Sequence, residues 1–285
     1  MKKNCLLCFL LFFSCHSALA GESLDSLLNV LDKTIKEADT YVQIKENKLH
    51  ELKKEARKTP PFSVERYNLN NDIYLEYKAY SSDSALHYLN ENMLLARQLN
   101  DKERELKIQL ELSYLLSSIG MYMEAADILN SIDRQTLPSS LLGHYYTCYE
   151  HVYFEAGAAQ PRYKMFASRY VKLSHAYRDS MQITLDPSSA TYLWLRETQL
   201  REAGKYDEAL EFSDRRLAES SFGTPQYALV AYQRFRLFES MGKKDEHLYY
   251  LVLSAISDVR SAIKEQSSLM VLAQELNSKG DLKRA

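Results

Sequence analysis

The sequence predicts an all-α protein, a superhelical stack of helical hairpins (an α-solenoid) preceded by a long N-terminal helix. Three observations predict it. First, a glycine-centred phrase recurs: "SSIGMYMEAADIL", "REAGKYDEALEFS", "ESMGKKDEHLYYL" and "NSKGDLKRA" carry Gly120, Gly204, Gly242 and Gly280, the last three 38 residues apart. Second, apolar residues ahead of these glycines recur at helical spacing, as in Leu106, Gln109, Leu110, Leu112, Ser113 and Leu116. Third, eight Gly and six Pro in 285 residues are too few for many short strands.

The first twenty residues read as an export signal. Lys2 and Lys3 form a basic start, Leu6 to Phe13 an apolar stretch, and Ala18-Leu19-Ala20 a small-x-small cleavage site. The stretch is too short for a stable bilayer anchor, so cleavage after Ala20 and a periplasmic location are expected. A lipoprotein signal acylated at Cys15 is the alternative, although Phe12 stands where such signals usually carry an aliphatic residue. Cys5, Cys8 and Cys15 leave with the signal, and Cys148 remains. A lone Cys cannot staple its own chain, and in "HYYTCYEHVYF" it reads as a buried, inert thiol.

Residues 21–60 are expected to be a helical segment of one or two long helices. Leu24, Leu27, Leu28, Leu31 and Ile35 give its first half an apolar face that packs on the array. Tyr41, Ile44, Leu49 and Leu52 are sparser, so the second half is expected to be solvated or weakly docked, and Pro60-Pro61 ends it.

Residues 61–285 are expected to form about five hairpins and an incomplete last repeat. Gly157 and Tyr80 fill the glycine's place in the earlier units, and each such position ends one helix and turns into the next. Ala125 and Ala209, five residues after their glycines, are small where two helices approach closely, and Tyr122 and Tyr206 can pack over the turn.

On Gly120-x-Tyr122-x-Glu124-Ala125 and Gly204-x-Tyr206-x-Glu208-Ala209, with Pro138 closing the first unit, the chain resembles the tetratricopeptide-repeat (TPR) family. At Gly242 the pattern departs, with Lys244 and His247 in the Tyr and Ala places, and near Gly157 Arg162 occupies the alanine position. The resemblance implies hairpins stacked in a right-handed superhelix with a concave groove. With "LLNVLDKTIKEADTYVQIKENKLHELK" and "SDSALHYL", the start also resembles exported, membrane-anchored TPR proteins of gut bacteria labelled putative transcriptional regulators. That resemblance implies a periplasmic TPR sensor part, followed in such proteins by a membrane helix and a cytoplasmic domain. A free-standing exported TPR adaptor is the alternative.

The last repeat breaks off five residues past its glycine, after a first helix expected at about Gln266 to Ser278. That helix is expected to expose Leu269, Val271, Leu272 and Leu276, so a truncated product or fragment is expected; a naturally ragged array is the alternative. After the signal no stretch approaches a membrane span, "YYLVLSAIS" being nine residues.

The chemistry of most enzyme classes is missing. There is no phosphate loop, nucleophile elbow or H-E-x-x-H, and one mature Cys excludes a zinc-thiolate cluster. His144 and His151 are seven residues apart on a helix, about 10 Å, too far for one metal without other ligands. Carboxylate pairs such as Asp207-Glu208 sit at helix starts, where they favour the dipole. With 36 basic against 38 acidic residues there is no electrostatic footprint for nucleic acid. A non-enzymatic module without cofactor or metal, binding a protein or peptide, is expected.

The 21 tyrosines are the remaining signal. By TPR geometry, groove-facing residues lie 13, 10, 6, 3 and 2 positions before each glycine. The resemblance therefore implies a groove lined by Tyr67, Asn70, Tyr74, Tyr77 and Lys78, then Lys107 and Tyr114, then His144 and His151. The later units contribute Trp194, Arg201, Tyr232 and Arg236. Tyr, Trp and Arg are enriched at binding hot spots, although any one Tyr can equally be helix packing.

Overall fold

The computed structural model describes residues 23–159, 162–264 and 267–278, which form thirteen α-helices and, among the described residues, no strand. The expected export signal with Cys5, Cys8 and Cys15, and the expected turn at Gly280, lie outside the described residues. Two N-terminal helices, α1 (Leu24–Lys36) and α2 (Ala38–Lys58), precede five hairpins. The hairpins pair α3 (Val64–Tyr77) with α4 (Ser82–Gln98), α5 (Lys102–Ser118) with α6 (Tyr122–Ser131), and α7 (Ser139–Ala158) with α8 (Lys164–Thr184). They continue with α9 (Ala190–Glu202) and α10 (Tyr206–Ala218), then α11 (Pro225–Ser240) and α12 (Lys244–Arg260), and α13 (Ser267–Ser278) follows. The architecture is an all-α solenoid, as the sequence predicts.

The repeated glycines do what the sequence asks of three of them. Gly120, Gly204 and Gly242 take φ of +88°, +72° and +70°. In each turn the glycine N–H donates to the carbonyl three residues back, and the next N–H to the carbonyl five back, as in Gly120 to Ser117 and Met121 to Leu116. These bonds satisfy carbonyls that the helix end leaves open. Two further turns with the same bonds have no glycine: Asn100 (φ +52°) after α4 and Ala262 (φ +54°) after α12. Gly157 is different, and corrects the expectation that it ends a helix. It lies inside α7, near its end and facing α8, where a Cβ would meet Tyr170 Cβ at 3.4 Å, an ordinary contact. Ala125 and Ala209 are fully buried, and the Ser113 hydroxyl of α5 donates to the Ala125 carbonyl of α6 at 2.9 Å.

The two ends of the described chain meet. Ser23 caps α1, its hydroxyl accepting from the Ser26 N–H. Leu27, Leu28 and Leu31 of α1 are buried, not on the nearby first hairpin but in the cluster formed by α11, α12 and α13. Helix α12 is therefore contacted by α11, α13, α1 and α2, and residues 251–259 are buried without a break. The polar members of that run are bonded inside, Ser254 to the Ala228 carbonyl and Ser257 to the Leu253 carbonyl. Past α12, the Lys264 N–H donates to the Ala79 carbonyl at 3.4 Å and its ammonium lies 4.6 Å from the Tyr80 ring, touching the α3–α4 turn.

Helix α13 corrects a second expectation. Leu272 and Leu276 are buried and Leu269 and Val271 partly so, all against the α12 cluster. The preceding hairpin's second helix supplies the partner. The segment α2 is held more lightly: only Leu49 and Ala56 are buried, and Ile44 is exposed. Its lysines are engaged, Lys45 and Lys48 with Glu76 at 2.7 and 2.6 Å and Lys53 with the Tyr77 hydroxyl.

The α8–α9 junction has few contacts, and charge bridges it. Arg178 of α8 donates to Glu150 of α7 at 2.8 Å and to Glu202 of α9 at 3.0 Å, and the Ser174 hydroxyl also donates to Glu150. Arg216 of α10 and Glu197 of α9 form a second buried pair at 2.5 Å.

Candidate partner-binding face

Helices α3, α5 and α7, the first helices of three successive hairpins, mesh through one polar and aromatic set. Glu111 of α5 is its hub. It accepts from the Tyr74 hydroxyl of α3 at 2.7 Å and from the ammonium of Lys78, the residue that caps α3, at 3.3 Å, and His144 Nε2 of α7 lies 3.6 Å away. One turn on, Tyr114 of α5 stacks on His151 of α7, centroids 4.0 Å apart and planes within 10°. Lys78 sits over the Tyr114 ring at 4.6 Å and the Tyr74 ring at 5.7 Å. Ser118 lies 2.9 Å from His151 Nε2, and Glu155 is 4.0 Å from Nδ1. Beneath, the buried Cys148 thiol faces the Leu110 carbonyl at 3.3 Å.

The charges follow from this packing. Burial pushes the Glu111 carboxyl up, but Lys78, His144 and the Tyr74 hydroxyl outweigh it and hold the group below the usual carboxylate range. Burial lowers the His144 ring against the opposing pull of Glu111. Burial, then the Lys78 ammonium, lowers His151 to about 4. At neutral pH the face thus presents a carboxylate, an ammonium and two neutral imidazoles, one stacked on a phenol. The Cys148 thiol is pushed well up by burial, so it stays protonated and unreactive. Carboxylate and ammonium can each meet a complementary group of a partner, and the stacked rings offer amphipathic contact area.

Among the residues that TPR spacing selects, Tyr74, Lys78, Tyr114, His144 and His151 are brought together here. Tyr74 is the floor, its ring fully buried and its hydroxyl spent on Glu111. Lys107 is exposed on α5, close enough to His144 to oppose its protonation. Tyr67, Asn70 and Tyr77 are buried in the core between α2, α4 and α5 and do not line an open groove. For Tyr77 the physical reason is α2, whose Lys53 reaches its hydroxyl, while its ring stacks with Tyr80 and Tyr88; Tyr67 lies under Arg104 of α5 and its carbonyl accepts from Asn92 of α4.

The later units do not join the set. Trp194 is partly buried beside Arg178, 6.0 Å from its guanidinium, and Tyr232 packs at 5.4 Å on Phe235. Arg201 is half-buried on α9, and Arg236 is exposed and paired with Glu239 at 2.8 Å. Spacing reasoning missed Glu111 because it lies nine residues before Gly120, outside the selected positions. The available signal was its place four after Lys107 and three before Tyr114, on the same helix face. A separate shallow cleft of about 350 Å³ lies between α4, α5 and α6, lined by Asn90, Met93, Leu94, Arg97, Gln109, Leu112 and Ile128. Among the described residues no group of His, Cys, Asp and Glu could hold a metal ion, and no helix is long and apolar enough to cross a membrane.

The profile of the SusR N-terminal TPR domain matches residues 35–285. No curated protein matches the chain.

Proposed function

The chain belongs to the SusR N-terminal TPR domain family, a TPR module of the protein-binding kind, and from that premise we propose that it works as the exported sensor or scaffold part of a membrane-anchored regulator. It acts by capturing a protein or peptide, without catalysis and without touching nucleic acid itself. The observation that carries the reading is the Lys78–Glu111–His144 set beside the Tyr114–His151 stack, which joins three hairpins into one face. Because Tyr74 and Lys78 fix Glu111 before any partner arrives, little ordering is left for binding to impose. A partner's cation meets Glu111, its carboxylate meets Lys78, and an apolar or aromatic group covers Tyr114 and His151.

A photo-crosslinking residue placed at Lys107, exposed at the edge of the set, tests this in cells. Discrete adducts are expected, and they should disappear when Tyr114→Ala and His151→Ala are introduced together while helix content is kept. Adducts that survive both changes, or none at all, refute the face. The exported location has its own check: the purified protein should begin at Gly21 by mass spectrometry, and an N-terminus at Met1 would count against it.

A further inference from the structure

A second surface lies at the opposite extreme of character from that face: the tip of the α7–α8 hairpin. Glu202, the last residue of α9, meets Arg178 at 3.0 Å and His175 at 3.9 Å. The level of α9's end on α8 is therefore His175, and α8 begins eleven residues earlier, at Lys164. At 1.5 Å per residue the first half of α8 overhangs the end of α9 by about 16 Å. On this projecting finger apolar side chains stand in solvent: Tyr163 is 63% exposed, Met165 75%, Phe166 48% and Val171 46%. Between Glu155 and Asp179 the sequence contains no carboxylate, yet it places Arg162, Lys164, Arg169 and Lys172 around those apolar groups. All four cations are exposed, and none has an ion pair or hydrogen bond with another described residue. Elsewhere surface lysines are largely paired, as on α2, so this is an uncompensated positive patch on a chain of net charge −2.

We propose that this tip docks on a lipid bilayer surface carrying anionic headgroups. Met165, Arg169 and Lys172 are spaced i, i+4 and i+7 on the outer side of α8, with Phe166 and Val171 on its flanks. Cations interleaved with Tyr, Phe and Met on a projecting end suit the headgroup boundary, where the apolar tips enter the acyl edge and the cations stay among phosphates. An acidic peptide needs a concave seat with defined pockets, whereas here the apolar groups splay around a convex helix start. A bilayer is a fluid surface that conforms to such a shape.

Flotation with vesicles tests the proposal, using the chain from Gly21 onward, which keeps all thirteen helices and removes the apolar leader. Binding is expected to vesicles of which a third is phosphatidylglycerol, to weaken with salt, and to be absent with pure phosphatidylcholine. Lys164→Gln with Arg169→Gln should weaken it about 30-fold, from two lost surface cations; Arg162→Gln with Lys172→Gln should act alike. Met165→Ser with Phe166→Ser should weaken it without changing the salt dependence. Tyr114→Ala, on the partner-binding face, should leave flotation unchanged, so failure of either proposal is visible independently of the other. Absent flotation, or flotation indifferent to all three tip variants, overturns the inference. So does a tip that captures a polyglutamate peptide and ignores vesicles, which would make the partner an acidic protein.

Discussion

Replacing Leu28 and Leu31 by Ala tests whether the N-terminal helix is a structural part of the far end of the array. Both side chains are buried in the cluster with Leu248, Leu251, Val252, Leu272 and Leu276. A Leu→Ala change in such a site costs about 2–5 kcal/mol, through lost apolar transfer and the cavity left behind. The two leucines are one helical turn apart and share neighbours, so the double change should fall short of the sum. Even one is large against a domain stability of about 5–15 kcal/mol. Because a repeat array is stabilised mainly by neighbour contacts, the loss should be local. Amides of α11, α12 and α13 should exchange faster by roughly 30-fold or more, the equivalent of about 2 kcal/mol, while those of α5 and α7 keep their protection. Hydrogen exchange read by mass spectrometry resolves this helix by helix. If α12 exchanges as in the parent, or if all hairpins loosen equally, α1 does not close the array in the way argued.

Arg178→Met should cost about 3–5 kcal/mol in a urea melt, since it strands the buried Glu150 carboxylate without its guanidinium; adding Glu150→Gln should recover part of the loss. Ala262→Gly should raise stability by about 1 kcal/mol, because Ala262 holds φ +54° where only glycine is unstrained. Burial raises Asp258 to about 6, against the hydrogen bond from Ser268, so its folded state holds the proton longer than the unfolded chain does. Stability should therefore fall as pH rises from about 4 to 6, by roughly 3 kcal/mol. Asp258→Asn should remove that fall, gaining stability at pH 8 and almost none at pH 4. His151 has the opposite sign: with its ring lowered to about 4, it contributes stability that is complete above about pH 6.5 and lost on acidification toward 4. His151→Phe, which keeps a ring on Tyr114, should flatten that part of the acid melt.

What the sequence made legible was the local part of the fold. Gly-x-Tyr-x-Glu-Ala at Gly120 and Gly204 specifies a left-handed turn and a close helix pair, and both are found as the pattern implies. The matching turns at Asn100 and Ala262 were invisible because no glycine marks them. The leucines of α1 declared a buried face, but periodicity cannot say against what, and the answer lies more than 200 residues away in α12. The sequence of residues 251–259 did not declare that burial, because Ser254, Ser257 and Asp258 interrupt its apolar residues. At the candidate site the family spacing selects Lys78, Tyr114, His144 and His151, which lie together, and also Tyr67 and Tyr77, which are buried in the core. Helix α2 covers Tyr77 through Lys53, and Tyr67 packs in the same cluster under Arg104 of α5.

That covering helix links the two halves of the architecture. Helix α2 covers α3, whose Tyr74 and Lys78 hold Glu111, and it also touches α12, on which α1 is seated. The proposed partner-binding face thus begins on a helix whose outer side belongs to the closure of the array. An open repeat stack can bend at its weakest junction, here α8–α9. In this chain α1 and α2 contact α12 from beyond that junction, and the Lys264 contact at the α3–α4 turn adds a second connection. Bending at α8–α9 would have to break those contacts as well as the Arg178 bridge. The consequence for the proposed partner-binding face is that it is already formed before any partner arrives, which leaves binding energy for recognition.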